Sequence, residues 1–293
     1  MTNQETRSFS ASDIPDENKA SIRFLYNTIP GRILLKIATR ATVSKLAGFI
    51  LRCPASRVFL KGFIDKNNID MEEYRDKTYN SFDDFFIREI KEGRRPFPDN
   101  KNDVASPCDG KLIAYPITPD SSFFIKNSLY SIETLLKDKE LATEFSGGMC
   151  LIFRLSPDDY HRYCYIADGK IINQKSIKGV LHTVRPIAYQ TRDVFCQNSR
   201  EYTVIQSINF GKIVQIEVGA LFVGRISNHK KSSTILKGEE KGMFQFGGST
   251  IILLFEKDTI AVDNEIIDNT TRNKETLVKM GIRIGEKKQQ NSY

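Results

Sequence analysis

From about Val104 onward the chain is a succession of short apolar runs separated by turns. This pattern constrains the fold more than any other feature. Residues 111–115, 149–155, 212–218, 220–226 and 250–255 have the length and β-branched content of strands. One helix is expected to interrupt them, over residues 132–145, with Ser131 as its N-cap. No repeat and no low-complexity segment is present.

The first third reads differently. Residues 21–64 hold no Asp or Glu, yet carry Arg23, Arg32, Lys36, Arg40, Lys45, Arg52, Arg57 and Lys61 among Leu, Ile, Val and Phe. Arg32, Lys36 and Arg40 recur at i, i+4, i+8, one face of a helix. Lys45 and Arg52 share a face of a second helix after a break near 41–44. Basic amphipathic helices of this kind suit an anionic membrane interface, although surface helices packed on a core would carry the same residues. Beyond Asp65 the chain turns polar. Ser81 and Asp84 can start a short helix through Phe85, Phe86 and Ile90, and residues 94–98 read as a linker.

The expected class is therefore α+β: N-terminal basic amphipathic helices followed by a mainly antiparallel β catalytic domain. The expected division is a polar tail over 1–20, a helical membrane-associating region over 21–98 and a β-rich domain over 99–293. A chain of 293 residues has ample core for this. A formal net charge of +7 suits an anionic partner, but no nucleic-acid motif accompanies it. Five cysteines without a Cys-x-x-Cys pair argue against a disulfide framework and a zinc site, and no metal is expected. Residues 1–19 are polar and of mixed charge, unlike a secretory signal, and no apolar run approaches the ~20 residues of a membrane span. The expected location is cytoplasmic.

One run carries chemistry. Phe246-Gly247-Gly248-Ser249-Thr250 stands before the apolar Ile251-Ile252-Leu253-Leu254-Phe255. Glycine tolerates strained backbone and leaves its carbonyl open to attack. The Ser249 hydroxyl could attack the Gly248 carbonyl, and an N→O acyl shift would give an ester. β-Elimination and hydrolysis would then leave a pyruvoyl group at position 249, a ketone electrophile made from the chain itself. Taken alone, such a run before a strand is an ordinary turn.

Three further segments accompany it. Ser106-Pro107-Cys108-Asp109-Gly110 presents a carboxylate at a turn before a strand. Asp158-Asp159-Tyr160-His161-Arg162 follows a strand and sets one of only three histidines beside an arginine. Glu217-Val218-Gly219-Ala220 is a strand end with a glycine, which permits a bulge or a close backbone approach.

In this order the four motifs resemble phosphatidylserine decarboxylases, as does the stretch from Leu25 to Arg32, which looks like the bacterial branch with a Gly-Gly-Ser-Thr site. The likeness runs from about Leu25 to the end. It implies a proenzyme that cuts itself between Gly248 and Ser249 into a β chain ending at 248 and an α chain over 249–293. The pyruvoyl cofactor would be covalent and derived from Ser249. Phosphatidylserine would be decarboxylated to phosphatidylethanolamine by a peripheral enzyme on the cytoplasmic face of the membrane. A homodimer stays open.

Residue by residue, Ser249 matches the nucleophile, Asp109 the acidic member of the cleavage triad and His161 the histidine of the decarboxylation step. The family commonly has a second histidine three residues later, the base for self-cleavage. Here Cys164 stands there. A thiolate, His161 itself, or Asp109 acting through water are the alternatives. Two other readings follow: a non-cleaving membrane lipid-binding relative, and a soluble pyruvoyl-dependent amino-acid decarboxylase.

Overall fold

The computed structural model describes residues 9–13, 24, 28, 30–31, 41–125, 128–184, 188, 193–220, 226–229, 233–245 and 249–289. Within them the fold is α+β, and every strand pair within the named sheets is antiparallel. Arg32, Lys36, Arg40 and Gly248 lie outside the described residues.

Strand β1 (Ala11–Asp13) is followed by helix α1 (Ala41–Arg52), a 3-10 turn (Pro54–Phe59) and α2 (Leu60–Asn67). Pro54 fits the first turn because that position needs no N–H partner. Asn68 stops α2 in the left-handed conformation, with φ 50°. Ser81 caps the short α3 (Phe82–Phe86) by accepting from the Asp84 amide at 3.1 Å. The helix ends at Phe86, and Ile90 forms a bridge with Tyr74 instead. The helical region docks through Phe63, edge-on to Phe82 and Phe85, and through Ser56, which accepts from the Phe82 amide at 2.8 Å.

The strands continue with β2 (Asp103–Ala105), β3 (Gly110–Pro116), β4 (Ser122–Ile125) and β5 (Ser128–Ser131). Helices α4 (Ile132–Leu136) and α5 (Lys139–Glu144) replace the single helix expected there. Ser131 caps the first as expected. Lys137 then turns left-handed (φ 49°), and Asp138 caps the second through the Leu141 amide at 3.0 Å. Next come β6 (Met149–Leu155), β7 (Arg162–Cys164), β8 (Gly169–Ile177), α6 (Val194–Gln197), β9 (Arg200–Ser207) and β10 (Lys212–Val218). The chain closes with β11 (Ile226–Asn228), β12 (Thr234–Ile235), β13 (Glu240–Phe244), β14 (Ser249–Phe255), β15 (Ile260–Val262), α7 (Asn264–Thr271), β16 (Lys274–Val278) and β17 (Arg283–Lys287). The strand expected over 220–226 falls largely on 221–225, outside the described residues.

Among the described residues, nine strands form one sheet in the order β1-β16-β3-β6-β14-β10-β9-β8-β12. Every residue of β14 is buried, so the strand is covered on both faces, and its apolar run is continuous rather than alternating. A smaller sheet, β11-β13-β7, is tied by buried polar contacts to the face bearing Glu217. A third, β15-β17-β2, and the hairpin β4-β5 add to the core.

Candidate active site

Antiparallel pairing gathers distant motifs along one rim. Ser249 opens β14 opposite Leu155, the last residue of β6. On its other side Thr250 faces Val218, the last residue of β10. Across β6, Lys111 of β3 faces Arg154, so Asp109 and Gly110 also stand at this rim. The four motifs read from the sequence thus converge at the ends of adjacent strands.

Ser249 is fully buried, and its Oγ has no hydrogen-bond partner among the described residues. An unsatisfied buried hydroxyl costs about 1–3 kcal/mol, so its retention at the head of a central strand calls for an explanation.

His161 is also fully buried. Its ring packs against Phe86, with centroids 4.0 Å apart, and Nδ1 lies 2.8 Å from the Asp159 carbonyl oxygen. A carbonyl only accepts, so Nδ1 carries the proton and Nε2 is the basic nitrogen of the neutral ring. The Phe244 amide donates to the His161 carbonyl at 2.9 Å. This anchors the histidine to the end of β13, directly before residues 245–248 lead to Ser249.

Asp109 is 2% exposed and held from several sides. Arg95 grips both its oxygens (Nε to Oδ1 3.1 Å, Nη2 to Oδ2 3.0 Å), and the Met280 amide donates to Oδ1 at 2.7 Å. Arg95 also reaches Glu73 at 2.8 Å. Burial pulls the Arg95 guanidinium down, but its bonds to Asp109 and Glu73 outweigh this and hold it above its usual value. The same bond to Arg95 lowers Glu73. Residues 94–98, expected as a linker, therefore supply a buried partner of the rim.

Cys164 is buried. Its amide donates to the Pro107 carbonyl at 2.9 Å, and its Sγ lies 3.5 Å from Met280 Sδ. Met280 thus connects Cys164 to Asp109. Two clefts flank this cluster and share Lys279. One, about 210 Å³, is lined by Glu73, Asp109, Asp158, Asp159 and Tyr160. The other, about 430 Å³, is lined by Arg94, Arg95, Phe97, Met280 and Ile282. Among the described residues no group of three or more His, Cys, Asp or Glu could hold a metal.

Sequence reasoning assigned no role to Arg95, Glu217 or Lys241. Glu217 and Gln215 are both fully buried in β10 and share a face by the strand's period of two. Two polar residues spaced by two inside an apolar strand were a readable signal. Lys241, on a different sheet, was not.

The fold is a β-rich domain with a buried serine, without a hydrogen-bond partner among the described residues, at the start of its central strand, and with a buried histidine and a clamped carboxylate on segments that meet the same rim. The family model described as Phosphatidylserine decarboxylase matches residues 82–286. The phosphatidylserine decarboxylase proenzyme 2 of Clostridium acetobutylicum is 49% identical over 267 residues, covering 90% of this chain and 91% of that protein. The phosphatidylserine decarboxylase proenzymes of Fusobacterium nucleatum and Clostridium perfringens are 40% and 38% identical, over 92% and 97% of this chain. The chain belongs to the phosphatidylserine decarboxylase family, whose members are carboxy-lyases.

Proposed function

We propose that this chain is a proenzyme that cuts itself between Gly248 and Ser249, and then decarboxylates phosphatidylserine to phosphatidylethanolamine with a pyruvoyl group made from Ser249. The observation that carries this reading is the Ser249 hydroxyl. It is buried, without a partner among the described residues, at the head of a strand that is paired on both sides. A pyruvoyl group needs no further cavity there, since it is built from the atoms of that residue. When formed, it supplies an electrophilic carbonyl that serves as an electron sink.

The chain's own residues do the rest. In self-cleavage, the pairing of β14 with β6 and β10 fixes where Ser249 Oγ stands. In turnover, His161 Nε2 takes up a proton and delivers it to the substrate carbon that has lost CO2. The Asp159 carbonyl sets its tautomer, and Phe86 sets its ring plane. Asp109 is held in place at the rim by the Arg95 clamp. The larger cleft combines Arg94, Arg95 and Lys279 with Phe97, Met280 and Ile282, a mixture suited to an anionic phosphodiester and the start of its acyl chains.

The lipid would arrive from a bilayer. Among the described residues no helix is long and apolar enough to cross a membrane. Leu46, Phe49, Ile50, Val58 and Phe59 are all more than half exposed, with exposed Arg52, Arg57 and Lys61 among them. Such a surface supports peripheral docking on anionic lipid at the cytoplasmic face. The same segment touches α3, whose Phe86 touches His161, so the docking surface and the site are built on one contact chain.

The test is Ser249→Ala. The native chain should run as two fragments and release CO2 from phosphatidylserine vesicles. The variant should run as one chain and release none. CO2 release by the uncut variant would exclude the pyruvoyl reading.

A further inference from the structure

We propose that Glu217 is the base that takes the proton from the Ser249 hydroxyl during self-cleavage, the task for which this chain lacks the family's second histidine. The proposal rests on the self-processing reading above.

The geometry starts from the sheet register. Glu217 faces Ile251 directly, and Ser249 is two residues before Ile251, on the same face of β14. Diagonal neighbours of this kind in an antiparallel pair lie roughly 7–8 Å apart. A long glutamate and a short serine on this diagonal are spaced for a proton to pass through one bridging water.

The glutamate is held for this purpose through one oxygen. Lys241 Nζ lies 2.5 Å from Oε2, with both side chains fully buried, and Asn228 Nδ2 donates to the same Oε2 at 3.2 Å. Oε1 has no partner among the described residues, and Ser249 Oγ has none either. Two buried oxygens, one able to donate and one able to accept, therefore stand on one face in diagonal register. Asp109 is a poorer acceptor because Arg95 and the Met280 amide already engage it.

The surroundings favour proton uptake. Glu201 on β9 faces Glu217 in register, and Asn228 bridges the two carboxylates by donating to both. From β13 comes a single ammonium, Lys241, which also donates to Asn228 Oδ1 at 3.2 Å. From β7, Tyr163 OH donates to Asn228 at 3.0 Å, and Tyr165 follows in the same layer. Like charges opposite one another make one carboxylate easier to protonate. Burial pushes Glu217 up, Lys241 and Asn228 pull it down, and Glu201 pushes it up again, leaving it above the usual carboxylate range.

The step balances without a co-reactant. The Oγ–H bond breaks as Oγ bonds to the Gly248 carbonyl carbon, and Glu217 receives the proton. The Gly248 carbon–nitrogen bond then breaks, and Glu217 returns the proton to the departing nitrogen of residue 249. The product is the ester. The same loop explains the positioning role of Lys241. It anchors β13, which leads into residues 245–248, to the sheet that carries Ser249.

The experiment follows fragment formation by gel on freshly refolded precursor, with thermal melts to confirm that each variant is folded. Glu217→Gln should slow cleavage by about 10²–10⁴-fold, the usual worth of a positioned base. The wild-type rate should rise with pH through an acid limb above 4.5, the ordinary value for glutamate, and then level off. Lys241→Met removes the charge that favours the carboxylate, so its acid limb should move to higher pH, with cleavage recovering there. A lost packing contact would lower the rate without moving the limb. Cleavage of Glu217→Gln within about threefold of wild type, well short of a base's contribution, would overturn the proposal. So would a wild-type profile without an acid limb, which also decides the matter if the variants fail to fold. Wild-type protein that never forms the two fragments would remove the self-processing reading, and the proposal with it.

Discussion

Replacing Arg95 by Met should destabilise the protein markedly, although Arg95 lies in a Pro-flanked segment that reads as a linker. Its side chain is 7% exposed and Asp109 is 2% exposed, so Arg95→Met leaves a buried carboxylate without its main counter-charge. Breaking a buried pair from one side costs about 3–5 kcal/mol. The Met280 amide at 2.7 Å and Lys279 Nζ at 3.5 Å still face Asp109, so the lower end, about 3 kcal/mol, is expected. At roughly 2–4 °C per kcal/mol for a large domain, the melting temperature should fall by about 6–12 °C. Melting should be measured on the Ser249→Ala background, so that native and variant proteins share one uncut state. Adding Asp109→Asn should recover part of the loss, because the carboxylate that needed the cation is gone. A fall of less than about 2 °C, too small for a broken buried pair, would refute the reasoning, as would strict additivity of the two substitutions.

Two other outcomes are expected. His161→Ala should abolish CO2 release even in the fraction that has been cut, measured as turnover per mole of small fragment. Full turnover there would remove His161 from the decarboxylation step. Neutralising Arg52, Arg57 and Lys61 together should weaken sedimentation with anionic vesicles by about 3 kcal/mol at low salt, on the order of a hundredfold. Equal binding by the triple variant would show that this surface faces something other than lipid.

Much of this architecture was legible because the central strands are covered on both faces. The expected strands 149–155 and 212–218 coincide with β6 and β10, and 111–115 and 250–255 each fall one residue or so short of β3 and β14. Continuous apolar runs of this length have few other places to go. The break between α4 and α5 was not legible, since Lys137 takes the left-handed conformation without being Gly or Asn. The site was legible as motifs but not as a circuit. Asp109, His161, Cys164 and Ser249 were singled out by motifs that are weak one by one and carry a family likeness only in their order. Arg95 and Lys241 matter only through partners on other elements, and a basic residue beside prolines or between strands reads as solvated surface. Cys164 illustrates the same limit: its position in the motif suggests a base, whereas its sulfur lies against Met280.

The most direct test of the central claim is the intact mass of the purified chain under denaturing conditions. The account predicts two species, residues 1–248 and residues 249–293. The smaller should be lighter by one ammonia than a peptide beginning with serine, and should gain the mass of a hydrazide less one water when treated with one, as a terminal ketone forming a hydrazone must. A single species with the full mass of 293 residues, in a preparation that releases CO2 from phosphatidylserine, would contradict it.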